Sequence, residues 1–123
     1  MGMTYIDGTV EGPGGRAHVH FLVDSGAAYS LLPTDVWRKI GLQPKRTENF
    51  ALADGTLISR DVSECHLTLV HGDAHTPVIL GEPGDEALLG AVTLEILGLV
   101  LNPFTRQLQR MRLMLASVGA SGS

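Results

Sequence analysis

The chain has 123 residues, the size of one ordinary domain with a single modest core. Apolar residues make up 44% and charged residues 18%, with 15 glycines, which fits a folded, turn-rich globular protein rather than a disordered or fibrous one. A net charge of −4 and a single cysteine give no electrostatic support to nucleic-acid binding and exclude an internal disulfide, and no run approaches the roughly 20 apolar residues of a membrane span.

Tyr5 to Val10 reads as a strand, followed by the dense turn signal Glu11-Gly12-Pro13-Gly14-Gly15. From Ala17 to Val23 the sequence alternates, with Val19, Phe21 and Val23 on one face and His18, His20 and Leu22 on the other. That is a strand with a defined buried side, and it runs directly into Asp24-Ser25-Gly26. Ser30 to Leu32 is extended, and Pro33-Thr34-Asp35 opens a short helix with Val36, Trp37 and Ile40 as its apolar stripe and Gly41 as its stop. Arg46 to Leu52 and Leu57 to Val70 read as strands joined around Asp54-Gly55, where glycine accepts positive φ. His71 to Ala74 reads as a turn, Thr76 to Leu80 as a strand and Gly81 to Gly84 as a loop. Ala87 to Leu89 is apolar up to Gly90, Val92 to Leu97 predicts one or two helical turns, and Leu99 to Leu101 is a strand broken by Asn102-Pro103. Gln107 to Leu115 reads as a last strand. Many short strands with one or two short helices predict a mostly β domain, a small barrel or sandwich, over residues 1–115. Residues 116–123, Ala-Ser-Val-Gly-Ala-Ser-Gly-Ser, read as a flexible tail. No basic segment followed by an apolar run stands at the start, so the expected setting is cytoplasmic.

Three features carry chemistry. The first is Asp24, an ionisable residue at the end of a buried strand, where an isolated charge is costly; Ser25 can bond neighbouring backbone, and Gly26 permits a tight turn and close approach of another chain. The tripeptide by itself reads more readily as an Asx-type turn. The second feature is the hairpin Leu52-Ala53-Asp54-Gly55-Thr56-Leu57, and the third is Ala87-Leu88-Leu89-Gly90 followed by an apolar segment. Each alone is only a hairpin or a core strand.

Taken together, in this order and spacing, Phe21 to Ala27, Ala53 to Thr56 and Leu88-Leu89-Gly90 resemble the retropepsin-like aspartic proteases, over roughly Tyr5 to Leu108. The resemblance is closer to bacterial and cellular members than to viral ones. It implies a small closed barrel of the acid protease fold and an aspartic endopeptidase with Asp24 as catalytic carboxylate. It further implies that Ser25, Gly26 and Ala27 support the active-site loop, that Ala53, Asp54, Gly55 and Thr56 form a flap, and that Leu88, Leu89 and Gly90 pack beneath the loop. The chemistry needs two carboxylates, and this chain has one Asp-Ser/Thr-Gly sequence, since Asp7-Gly8 and Asp54-Gly55 place glycine wrongly. The second carboxylate is therefore expected from a second copy in a two-fold homodimer, with Tyr5 to Val10 and Gln107 to Leu115 as the interface. The substrate is a peptide or protein; no cofactor, metal, nucleic acid or membrane is implied. The alternative is a catalytically inactive module for dimerisation or peptide binding. Two departures stand out: Ala91-Val92-Thr93 follows Gly90 where many viral members carry arginine, and the flap lacks a multi-glycine tip.

Other sites read as structural. Cys65 and His66 alternate to opposite faces of a strand, so Cys65 is expected to be buried and inert. His18 and His20 share a face, but no further spacing completes a metal site. Trp37 reads as a core anchor. No phosphate loop and no Gly-x-Ser-x-Gly elbow is present.

Overall fold

The computed structural model describes residues 2–111. Tyr5–Gly12 (β1) and Gly15–Val23 (β2) pair antiparallel along their full length, from Tyr5 opposite Leu22 to Gly12 opposite Gly15. The turn is only Pro13-Gly14, narrower than the glycine-rich signal, because Glu11, Gly12 and Gly15 stay in the ladder. Val19, Phe21 and Val23 point into the core while His18 and His20 face solvent, as the alternation requires.

Ser30–Leu32 (β3) leads into Thr34–Lys39 (α1). Arg46–Ala51 (β4) and Leu57–Leu69 (β5) form a long hairpin, and Gly72–Leu80 (β6) returns along β5. Leu88–Leu89 (β7), Ala91–Ile96 (α2), Leu99–Leu101 (β8) and Leu108–Arg110 (β9) complete the described chain. The strands run in the order β1-β2-β7-β3-β6-β5, and β1 pairs back onto β5, which closes a six-strand barrel. Closure leaves no free edge around the core. Among the described residues β4 joins only β5, and β8 and β9 form a separate ribbon. Phe21, Leu32, Ile40, Val62, Leu67, Val78 and Leu89 fill the interior.

The structure corrects two expectations, the turn after β5 and the burial of Trp37. The turn after β5 is Val70-His71, and β6 begins at Gly72, because Leu69 opposite Gly72 through Cys65 opposite Thr76 continues the ladder. Trp37 is only half-buried; no residue of α1 is fully buried, and Ile40 just beyond it takes the core position. The Trp37 indole N–H instead donates to the Gly81 carbonyl at 2.8 Å. β1 is a barrel strand bonded on both sides at Thr9 to Glu11, and Val10 is fully buried, so that part of it has no edge to offer a partner. The last strand is described only as Leu108–Arg110; the remainder expected up to Leu115, the end of the 1–115 domain and the 116–123 tail lie outside the described residues. Among the described residues no helix is long and apolar enough to cross a membrane.

Candidate active site

Asp24 leaves β2 under close backbone control. β7 lies parallel to the end of β2, so the Leu22 amide donates to the Ala87 carbonyl and the Asp24 amide to the Leu89 carbonyl, both at 2.9 Å. The chain then turns tightly: the Ala27 amide donates to the Asp24 carbonyl at 3.1 Å, and the Gly26 amide to Asp24 Oδ1 at 3.1 Å. Asp24 is half-buried, while Ser25 and Gly26 are exposed. The Ser25 hydroxyl finds no hydrogen-bond partner among the described residues. The loop continues into α2 by a second set of bonds. The carbonyls of Ala27 and Ala28 accept the amides of Ala91 and Val92 at 2.8 and 2.9 Å. Those amides belong to the first turn of α2, where a helix has no partners of its own, so the loop and the helix satisfy each other.

Gly90 makes this contact feasible. A Cβ there would stand 2.5 Å from the Tyr29 carbonyl carbon and 2.9 Å from the Ser30 nitrogen. Its amide donates to Ser30 Oγ at 2.9 Å, Ser30 Oγ lies 2.6 Å from Thr93 Oγ1, and Thr93 Oγ1 lies 2.7 Å from Thr76 Oγ1. All three hydroxyl residues are buried. Sequence reasoning missed them. The available signal was a polar residue at an inward position, as with Thr76 in the run Thr76, Val78, Leu80.

The hairpin of β4 and β5 overhangs the loop. Its tip is a three-residue connection: the Gly55 amide donates to the Leu52 carbonyl at 2.9 Å and the Leu52 amide to the Thr56 carbonyl at 2.7 Å. Gly55 has φ +89°, the left-handed position such a loop demands. The Thr56 amide donates to Asp54 Oδ1 at 2.9 Å, which holds the Asp54 carboxyl below its usual range. Ala53, Asp54, Gly55 and Thr56 are all exposed. Nearer its base the hairpin is tied to the loop. Arg46 Nη2 donates to the Tyr29 hydroxyl at 3.0 Å, and the Tyr29 and Phe50 rings meet edge-on at 5.7 Å.

Between the loop and the hairpin runs a groove of about 540 Å³. Gly26, Ala27 and Ala28 form its floor beside Asp24, and Phe50, Ile58, Ile79 and Leu88 supply apolar walls. On the other side of Asp24 lies a second depression of about 430 Å³, bounded by Met3, Thr4, Leu101, Pro103 and Arg106. Phe104, next to it in the β8–β9 connection, is 92% exposed.

The remaining candidates behave as structural groups. Cys65 is 3% exposed and burial pushes its thiol up to about 12, while His66 turns to the other face and meets Asp73 at 2.7 Å. His18 and His20 converge on Asp7, whose carboxyl the His20 hydrogen bond lowers. Among the described residues no group of His, Cys, Asp and Glu is arranged to hold a metal ion.

Comparison with known proteins agrees with this geometry. A family model described as "gag-polyprotein putative aspartyl protease" matches residues 6–95. The fold is similar to that of the EIAV protease complexed with the inhibitor HBY-793, with a TM-score of 0.60 at 14% identity over 93% of this chain and 94% of that one. It is also similar to the Simian Foamy Virus (mac) protease, with a TM-score of 0.53 at 19% identity over 76% and 94% of the two chains. No curated protein matches the sequence.

Proposed function

The chain belongs to the retropepsin-like aspartyl protease family, and on that premise we propose that it is an aspartic endopeptidase whose catalytic pair is Asp24 of each copy in a homodimer. The observation that carries the proposal is the position of Asp24. Its backbone is anchored to Leu89, its carboxylate is half-exposed in a tight Gly26 turn, and the loop floors an apolar groove overhung by a hairpin.

Two carboxyl groups about 3 Å apart do not both ionise, so one proton is shared between them. The ionised one takes a proton from water as the oxygen attacks the scissile carbonyl carbon. The protonated one donates to the carbonyl oxygen, and the proton taken from water then passes to the leaving amine as the C–N bond breaks. The groove accommodates an extended peptide, and the flap tip Ala53 to Thr56 closes over it. Ser25 holds the two active-site loops together across the axis, which gives a role to a hydroxyl without a partner among the described residues. Leu88, Leu89 and Gly90 support the loop from beneath. The free thiol of Cys65 suits a cytoplasmic setting.

The test is peptide cleavage at mildly acidic pH by the wild-type chain and by Asp24→Asn, with sedimentation run on both. Cleavage by a dimer that the substitution abolishes without dissociating it supports the proposal. Cleavage that survives the substitution, or a strict monomer at every concentration, overturns it. Peptide binding by a dimer without turnover identifies the inactive module instead.

A further inference from the structure

Resting on the reading of the groove as a peptide site, we infer that Arg60 selects substrates carrying a carboxylate side chain near the scissile bond. On β5 the residues alternate, and the inward set is Ile58, Arg60 and Val62. Ile58 lines the groove and Val62 is fully buried, so Arg60 occupies a place where the period of the strand calls for an apolar side chain. It lines the groove beside the active-site loop, and it also lines a second depression bounded by Trp37, Thr47 and Glu82. Its guanidinium therefore stands at the junction between the two.

The guanidinium is poorly satisfied for its shielding. Its side chain is 32% exposed, yet among the described residues Nη1 donates only to the Ser59 carbonyl at 3.1 Å and reaches Glu82 Oε2 at 4.0 Å, a carboxylate that is 65% exposed. A guanidinium offers five donors, so a fork remains for a ligand. The nearby acids are already engaged. Glu48, directly opposite Arg60 on β4, is bound by Arg46 Nε at 2.9 Å. Asp85, on the groove wall, accepts the Glu82 amide at 2.7 Å. The inner face of the hairpin thus carries two guanidinium groups against one carboxylate. A planar fork matches a carboxylate by two parallel charge-assisted bonds, and in a two-fold dimer one such fork lies on each side of the bond to be cut.

Peptide-library profiling of the wild-type dimer gives a cleaved sequence, from which matched peptides differing only by Glu or Gln at each flanking position are made. The Glu peptide at the responsive position is expected to exceed its Gln partner by about tenfold in kcat/KM, the worth of one hydrogen-bonded charge. In Arg60→Gln the Glu-to-Gln ratio falls to about one, and in Arg60→Lys, which keeps the charge without the fork, it is partly restored. Selection of tight binders to Asp24→Asn from a labelled peptide library, with Glu and Gln compared at each position, reads the same ratio without cleavage, so the inference is tested even if turnover fails. Equal handling of Glu and Gln peptides by the wild type, or a preference that persists in Arg60→Gln, overturns the inference and leaves the protease reading standing. Cleavage that Asp24→Asn retains overturns the protease reading instead.

Discussion

Ser30 Oγ and Thr93 Oγ1 lie 2.6 Å apart in the interior, between the strand that follows the Asp24 loop and the helix that caps it. The Gly90 amide donates to Ser30 at one end and Thr76 lies at the other, so the three hydroxyls form one continuous buried chain in which either oxygen of each hydroxyl pair can donate. Thr93→Val keeps the volume but leaves two buried hydroxyls short of a partner. The expected loss is about 1–3 kcal/mol, measured by urea unfolding with an unchanged slope. A neutral Thr93→Val would show that the chain does not hold the loop.

Gly90→Ala is expected to be worse, although φ at Gly90 is −98° and any residue can adopt it. The obstacle is space: the added methyl meets backbone atoms of Tyr29 and Ser30, which cannot rotate away. Overpacking of this kind costs about 3 kcal/mol. The two segments it separates carry Asp24 and α2, so catalytic rate should fall along with the unfolding midpoint.

The tip of the β4–β5 hairpin has a pH dependence of known sign. The Thr56 amide holds the Asp54 carboxyl below its ordinary value of 3.8. A depressed folded value means that the bond contributes fully above 3.8 and is lost as pH falls through the lower folded value. The tip should therefore stay ordered at mildly acidic assay pH. Asp54→Ala removes the bond at every pH, and amide exchange at Thr56 is expected to rise about fivefold. Unchanged exchange would assign the order of the tip to Gly55 and the ladder alone.

In the proposed homodimer, Phe104 is the expected anchor for the second copy. It is almost fully exposed in a connection whose amides at Phe104 and Thr105 are held by Asn102 Oδ1, and it adjoins the depression on the far side of Asp24. Phe104→Asp should leave the protomer folded, because the ring has little to lose within it. The dimer dissociation constant is expected to rise by about 30-fold, as for a buried aromatic hot spot, measured by sedimentation. A dimer unaffected by the substitution would move the interface elsewhere.

Much of this protein was legible in the chain itself. Strand alternation assigned Val19, Phe21 and Val23 to the core and His18 and His20 to solvent, because the period of a strand fixes side-chain direction locally. Asp-Gly located the hairpin tip, and the same alternation separated Cys65 from His66. These are properties of a few adjacent residues, and the structure bears them out. The extent of β6 was not legible, since its first residues look like a turn and pair only because β5 runs alongside.

Residue order alone puts an ionisable side chain, Asp24, directly after a buried strand. What surrounds that side chain depends on long-range pairing. β7 and α2 reach the loop across sixty residues or more, and a hydroxyl such as Ser30 or Thr93 has no local pattern to distinguish a buried bond from a wet one. Arg60 is the same case. Its inward position is written in the alternation of β5, but the groove it faces exists only because the hairpin folds back over Ala27, Ala28 and Leu88. Local periodicity sets direction, and long-range pairing sets what lies in that direction.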